Sequence, residues 1–387
     1  MKTGRIVIDA RCVLGAPGGV VSYTEALIEH LPILLPAVPI VLLRHPKMPW
    51  PLSRAPNVIE WTLGGKPNNP WTYFRMGSWL NARLSSDDLF HAPYRMLPRG
   101  LHPKSVMTIH DVMQVVCPAL VFPNPVTRAF VRPFWSNAIR SSLRHADRIL
   151  AVSQYSANDT LRLDASCAPR LRVTLNGKSP SFRPLDKATA ERVSSAIIPP
   201  GQQFFLVVGG GYPNKNHVAA VSAFAKAFPP SQDIHMLVIE RTRTLPKEIR
   251  RILRRLRRDS RIQVRSDVRN EELVALYNRA EALVFPSLYE GFGLPVLEAM
   301  ACGCPVLCSN VTSLPEVAGD AALFVKPSDT DDIARAMRHL IADQPLRQSL
   351  SERGVQRAAL FDWRKMVVET VLAYREIAPW LPDTKLA

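Results

Sequence analysis

Short apolar runs recur along the chain, and most are followed by a turn-prone segment and then by a stretch whose apolar residues fall at helical spacing. Runs that are apolar on both faces suit strands buried on both sides, as in a parallel sheet covered by helices. In the first half they predict strands at Arg5–Asp9, Pro39–Leu43, Val58–Trp61, Leu89–His91, Ser105–Ile109 and Arg148–Ser153. In the second half they predict strands at Phe204–Val208, Ile234–Ile239, Arg261–Val264, Ala282–Phe285 and Pro305–Cys308. Helices are expected over Val20–Leu31, Trp135–Ala146, His217–Phe228, Glu271–Ala280 and Asp331–Ile341, and from Trp363 to about Tyr374. Ser153 and Ser156 are of the type that caps a helix start, whereas residues 112–133, with Pro118, Pro123 and Pro125, read as loop. The alternation is α/β, and 387 residues exceed one ordinary domain, so two such domains are expected. A proline-marked stretch around Arg172–Pro184 divides 1–185 from 186–362, with 363–387 as a terminal helical segment.

The chemistry is densest after the run Ala282–Phe285. Pro286 ends the run, and a loop relieved by Gly291 and Gly293 leads into the helix-compatible Pro295–Met300. Backbone N–H groups at a helix start are unpaired and carry partial positive charge, so a phosphate fits there. Glu290 lies in the loop and Glu298 one turn into the helix. Acids beside an anion site need hydroxyl groups to bind, which suggests a nucleotide sugar, with Glu298 toward ribose hydroxyls and Glu290 toward the sugar. Acids near a helix start also complement its dipole, and these residues alone leave both readings open.

Two other places repeat the order strand, glycine turn, helix. Gly15-Ala-Pro-Gly18-Gly19 precedes Val20, and Gly209-Gly210-Gly211-Tyr-Pro-Asn-Lys215-Asn216 precedes His217. The first does not fit Gly-x-Gly-x-x-Gly, so no dinucleotide site is expected there, and a plain turn remains its alternative. A cation such as Lys215 can pair with a diphosphate. His110-Asp111 follows the strand Ser105–Ile109, at the carboxyl end where open α/β sheets bind ligands; a structural histidine is the alternative.

The stretch from Pro286 to Val306 reads Pro-Ser-x-x-Glu-Gly-Phe-Gly-Leu-Pro-x-x-Glu-Ala-Met-Ala-x-Gly-x-Pro-Val. It closely resembles the signature of the retaining glycosyltransferases of family four, which have the GT-B fold. The resemblance covers nearly the whole chain, most strongly from Val207 to Pro327. It implies two Rossmann-like domains facing a cleft, the first receiving the acceptor and the second the donor, with the terminal helix crossing back to the first. It implies donor contacts from Gly18, Gly19, Gly210, Gly211, Lys215, Glu290, Gly291, Phe292, Gly293, Leu294 and Glu298, with His110, Lys215 and Glu290 at the reacting centre. Lys215 matches the family's phosphate-binding lysine, which takes the place of a metal, and Asp111 is expected to hold its turn or the imidazole. Members usually carry an arginine before that lysine, where this loop has Gly210 and Asn214. Arg241 and Arg243 are candidate replacements.

Lys and Arg number 49 against 33 Asp and Glu, a formal charge of +16, which points to anionic partners. No nucleic-acid-binding module is present, so sugar phosphates and an anionic membrane surface remain. Lys247, Arg250, Arg251, Arg254, Arg255, Arg257 and Arg258 lie opposite Ile249, Ile252, Leu253 and Leu256 on one helical pattern. That face is either solvated or suited to anionic headgroups; for Arg140 and Arg144 the alternative to a solvated face is docking of the acceptor or the membrane, since the resemblance implies that amino-terminal domains present basic, aromatic surfaces to phosphorylated lipid acceptors. No apolar run reaches the roughly 18 residues a spanning helix needs, and the first residues lack a signal peptide's apolar core. The expected location is cytoplasmic, peripheral at the inner face of the membrane. The six cysteines then read as reduced thiols, and Cys302, Cys304 and Cys308 lack partners at zinc-site spacing. No metal and no cofactor are expected.

Together with the resemblance, these residues imply retaining, metal-independent transfer of a hexose from a nucleoside-diphosphate sugar to a hydroxyl of a glycan or lipid-linked acceptor in surface polysaccharide biosynthesis. GDP-mannose is the favoured donor, with UDP-hexoses close behind. A nucleotide-sugar epimerase of the same architecture and a non-catalytic anion-binding protein are the alternatives.

Overall fold

A strand buried on both faces needs an apolar neighbour on each side, and the runs named above supply them by pairing in parallel. The first sheet holds β1 (Ile6–Ile8), β2 (Ile40–Arg44), β3 (Val58–Thr62), β4 (Leu89–Ala92), β5 (Lys104–Ile109), β6 (Arg148–Ala151) and β7 (Leu171–Val173), in the order β3-β2-β1-β4-β5-β6-β7. The second holds β8 (Gln203–Gly209), β9 (Ile234–Glu240), β10 (Ile262–Arg265), β11 (Ala282–Phe285), β12 (Val306–Ser309) and β13 (Leu323–Val325), in the order β10-β9-β8-β11-β12-β13. The computed structural model describes residues 4–14, 18–240 and 260–383. Gly15, Arg241, Arg243 and the basic pattern from Lys247 to Arg258 lie outside the described residues.

The chain separates into two compact units, Met1–Gly177 with Asp362–Ala387, and Lys178–Phe361. Each sheet reverses its strand order once, between β1 and β4 and between β8 and β11, and such switch points open a crevice at the carboxyl ends of the strands. Register places Val7 beside Val41 and Phe90 in the first sheet, and Leu206 beside Leu237 and Leu283 in the second. These side chains are fully buried, which is why a one-residue slip is excluded: it would turn the set to the opposite face.

The segment 112–133 departs from its expected loop. Two short helical turns, Met113–Val116 and Pro118–Val121, precede a helix from Pro125 to His145, which begins ten residues before the expected start at Trp135. Proline at the first helical position lacks only an N–H that would be unpaired anyway. Asn124 satisfies the next donors, its Oδ1 accepting from Val126 N at 2.9 Å and Thr127 N at 3.2 Å. Pro133 is carried inside the helix.

In the first unit the terminal helix Trp363–Arg375 packs on the helix Gly19–Leu34. Buried polar groups join them: Tyr374 OH lies 2.5 Å from His91 Nδ1, His91 Nε2 lies 2.8 Å from Thr108 Oγ1, and Thr108 Oγ1 donates to Tyr23 OH at 3.0 Å.

Beyond β1, Arg11 is fully buried, a rare state for a guanidinium. Asp9 accepts from its Nε at 2.8 Å and from its Nη2 at 2.6 Å, and Gly64 O accepts from Nη1 at 3.0 Å. Removing one partner of such a pair leaves an uncompensated buried charge. Arg11→Met should therefore lower unfolding free energy by about 3–5 kcal/mol, read by urea denaturation. Asp9→Asn combined with Arg11→Met should recover part of that loss, and an unchanged single variant would contradict the pairing.

Candidate functional site

The second unit's switch point is built from three successive residues. After β8 the chain turns through Gly210 and Gly211 into a single 3-10 turn, Pro213–Lys215, and Asn216 then adopts φ 54° and ψ 34° before the helix His217–Ala227. Asparagine tolerates this left-handed conformation better than most residues with a side chain. The turn faces the segment after β11 and is laced to it. Asn214 Nδ2 donates to Tyr289 O at 3.0 Å, and Leu288 N donates to Asn214 O at 2.7 Å. Asn216 Nδ2 donates to Pro286 O at 3.0 Å and to Pro327 O at 2.8 Å. Between these two asparagines stands Lys215, whose Nζ reaches Glu290 Oε1 at 2.7 Å and lies 5.2 Å from the centre of the Phe285 ring. Both members of the ion pair are largely buried, where a charge-assisted hydrogen bond is stronger than in water.

Glu290 is fixed through its backbone as well. Its N–H donates to Thr312 Oγ1 at 3.2 Å, and Ser313 Oγ donates to Glu290 O at 3.0 Å and Phe292 O at 2.9 Å. Thr312 has φ 62°, uncommon for a β-branched residue and found where a site requires it. The helix Leu294–Ala301 starts here, capped by Gly293 at φ 109°, where an added Cβ would come within 2.6 Å of Leu314 Cδ2. The N–H groups of Gly293 and Leu294 have no acceptor among the described residues, and Pro295 has none to offer. Two donors and a lysine thus converge on one edge, an arrangement able to receive a diphosphate. Glu298, half-buried one turn on, accepts from Tyr277 OH at 3.2 Å.

The structure brings Gly210, Gly211, Lys215, Glu290, Gly291, Gly293, Leu294 and Glu298 into the segments around this switch point. Phe292 also lies there, but its ring is buried and packs edge-on to Phe361 at 5.8 Å, so only its backbone is offered. Asn214 is buried and clamps the facing segment. His217 carries no site signal in the sequence: it is buried, neither ring nitrogen has a hydrogen-bond partner among the described residues, and Nδ1 lies 3.9 Å from Glu240 Oε2. Asn216, Tyr277, Thr312 and Ser313 also went unnoticed. Their partners lie far away in the chain, and no local pattern marks them.

In the first unit His110 follows β5, and its buried Nε2 lies 3.2 Å from Pro93 O. A carbonyl only accepts, so Nε2 carries the proton and Nδ1 keeps its lone pair. Tyr23 packs edge-on against the ring at 5.0 Å, and Ser156 Oγ donates to His110 O at 3.0 Å. Asp111 holds the turn by accepting from Met113 N at 3.0 Å, and pairs with Arg95 at 3.5 Å. Gly18 is extended and Gly19 opens the helix. A Cβ at Gly18 would meet nothing within 4 Å, so nothing in the described chain demands glycine there.

The family model for Glycosyl transferases group 1 matches residues 190–357, and that for Glycosyltransferase Family 4 matches residues 17–181. The chain is 33% identical over 290 residues to O-antigen chain mannosyltransferase B of Escherichia coli, covering 75% of this chain and 74% of that one. The chain belongs to glycosyltransferase family 4. This glycosyltransferase is also 30% identical over 268 residues to the serotype-specific mannosyltransferase WbdA of Escherichia coli, covering 67% of this chain and 32% of that longer protein. The fold of sucrose-phosphate synthase from Thermosynechococcus elongatus superposes on the enzyme with a TM-score of 0.76 at 21% identity, over 97% of this chain and 99% of that one. The two parallel sheets are thus those of a GT-B glycosyltransferase.

Burial lowers the pKa of His91 to about 3, aided by His110, and that of His110 to about 4, with Arg95 adding to the effect. Burial together with Lys215 lowers that of His217 to about 4. An unfolded chain takes up protons on these residues below about pH 6.5 whereas the folded enzyme does not, so the stability they confer is full above that pH and is lost as pH falls toward 4. Thermal unfolding should show a continuous loss from pH 7 to 5, on the order of 1–2 kcal/mol per histidine at pH 5. Replacing His217 by Leu should flatten part of the slope, and a flat stability profile in the wild type would contradict neutral burial.

Proposed function

We propose that this enzyme moves a hexose, with retention of anomeric configuration and without a metal ion, from a nucleoside-diphosphate sugar to a hydroxyl of a glycan or lipid-linked acceptor in surface polysaccharide synthesis. The observation that carries the reading is the Lys215–Glu290 pair at 2.7 Å beside a helix start whose first N–H groups have no acceptor among the described residues. A diphosphate arriving there takes over the ammonium, and the N–H groups take a share of its charge. Glu290, released from its cation, then accepts from hydroxyls of the transferred sugar, and Glu298 accepts from the ribose. Charge grows on the leaving phosphate as the glycosidic bond breaks, so Lys215 stabilises the transition state more than the bound donor. His110 presents Nδ1 as an acceptor toward the sugar, with Gly18 and Gly19 giving the donor close approach to the backbone.

The names of the curated relatives favour mannose, and hence GDP-mannose, with the O-antigen relative favouring a surface polysaccharide as product. Among the described residues no helix is long and apolar enough to cross a membrane. The formal charge of +16 supports work at the anionic inner surface of a membrane, where a lipid-linked acceptor is presented.

The test begins with a thermal-shift panel of nucleoside diphosphates, in which GDP should stabilise the protein selectively. Transfer from GDP-mannose should then yield the same anomer as the donor by NMR. Lys215→Ala should retain donor binding while losing roughly a hundredfold or more in turnover, and wild-type turnover in that variant would remove the lysine from the mechanism.

Activity should survive excess EDTA, because the lysine and the helix start supply the counter-charge that a cation supplies elsewhere. Loss of activity with chelator and its return with magnesium or manganese would overturn metal independence.

A further inference from the structure

A cavity of about 500 Å³ lies in the first unit, between the helix Gly19–Leu34 and the crossover that joins β2 to β3. Ile28, Pro32 and Ile33 line it from the helix, and Met48, Pro51 and Leu52 line it from the crossover. Val13 follows β1 and Met48 follows β2, so the cavity begins at the carboxyl edge of the sheet, which also carries His110, and runs back along the helix. From Glu25 to Ile33 that helix rises about 12 Å. The facing wall is stiff. Residues 45–57 hold four prolines, each with a fixed φ. Glu60 on β3 accepts from Leu52 N at 2.6 Å and from Ser53 N at 3.2 Å, and it pairs with Arg44 on β2 at 2.8 Å. Asn57 Nδ2 donates to Leu35 O and to Val38 O, each at 3.0 Å, which ties the crossover to the helix end. The cavity is thus formed before any ligand enters it, as binding sites usually are.

The polar groups on its walls say what it takes. Glu25 and Glu29 stand four residues apart on one helical face, and Arg54 faces them from the crossover. None of the three makes a hydrogen bond or ion pair with a described residue. Two acids without a cation are a departure in a chain of formal charge +16, and partial burial raises the carboxyl pKa of Glu25. Pro32 brings no N–H to the carbonyl of Ile28 four residues before it, so a third acceptor on the same wall lacks its helical donor. Acids at the wall repel phosphates and other anions, and Arg54 repels cations. A neutral polyhydroxyl ligand satisfies both signs: its hydroxyl hydrogens go to the carboxylates and the carbonyl, and its oxygens accept from the guanidinium. The apolar faces suit the C–H side of a sugar ring, and two more stand at hand, since Ile33 and Trp50, next to Pro51 in the chain, are each 70% exposed. We infer that this cavity is a saccharide-binding subsite, which holds neutral sugar units of the acceptor chain behind the unit that receives the hexose. The inference rests on the glycan acceptor of the proposed function and concerns units that take no part in the transfer itself.

The test is a saturation-transfer NMR titration of the full chain, without donor, against a neutral mannose oligosaccharide and against methyl mannoside. Wild type should bind the oligosaccharide more tightly than the single sugar, and Trp50→Ser combined with Glu29→Gln should weaken oligosaccharide binding about tenfold or more at an unchanged melting temperature. Glu29→Gln alone serves if the pair destabilises the fold, and should weaken binding in the same direction. In transfer assays the double variant should raise the KM for an oligosaccharide acceptor about tenfold while leaving kcat, and the KM for a single-sugar acceptor, as in wild type. Oligosaccharide binding by the variants equal to wild type overturns the subsite, and so does a wild type that binds the oligosaccharide no more tightly than methyl mannoside. The titration needs no donor, so failure of GDP-mannose in transfer would overturn the donor reading while the titration still decides the subsite. Binding of spermidine in place of saccharide, lost in Glu29→Gln, would assign the acids to a cation and overturn the saccharide.

Discussion

The contact on which the second unit's site depends is the one between Lys215 and Glu290. It joins the carboxyl ends of two adjacent parallel strands, β8 and β11, at the point where the sheet reverses its order. Parallel pairing sends every crossover away and brings every strand end to one edge, so the loops at that edge are held by the bonds they make to one another. Asn214 and Asn216 do this with amides that bond backbone carbonyls on the facing segment, and the lysine between them is left pointing at the carboxylate. A cation held this way is positioned before any ligand arrives, the preorganisation that the proposed reaction would use.

The same contact explains why strain gathers nearby. Holding Glu290 at the right height requires Thr312 and Ser313 to bond its backbone from a third loop, and Thr312 takes a left-handed conformation to do so. Gly293 takes another, because the chain must turn sharply against Leu314 to start its helix. Neither conformation is favoured locally; both are imposed by the need to present a charge and a helix start on one edge.

What could be read from the sequence was whatever lies close together in it. The run Ala282–Phe285, the glycine loop and the helix after it form one continuous grammar, so the placement of Glu290, Gly293 and Glu298 between a strand end and a helix was legible. The buried strands were legible for the same reason, since their neighbours are equally apolar. The clamps were not, because Asn214 meets Tyr289 across 75 residues and Asn216 meets Pro327 across 111. Nothing near Arg11 in the sequence marks its burial, which depends on Gly64, Thr72 and Met76 closing over it. The helix from Pro125 was hidden by its own start signal: proline at a first helical position is the same letter as proline in a loop. Phe292 was read as part of the site because it stands inside the signature, and only packing against Phe361 shows where its ring goes.

The first unit is interrupted in sequence by the whole of the second, and its final helix arrives with Tyr374. That hydroxyl closes the line of buried groups through His91 and Thr108 to Tyr23, so until it is synthesised a buried imidazole and the apolar face of the helix Gly19–Leu34 stay uncovered. At ordinary translation speeds of about 5–20 residues per second, that interval lasts roughly ten to forty seconds. The second unit has all its strands out of the ribosome before the first can finish. The order of completion is thus inverted relative to the order of the strands: the first sheet has all seven strands synthesised before the second begins, yet its unit waits for the helix that follows the second.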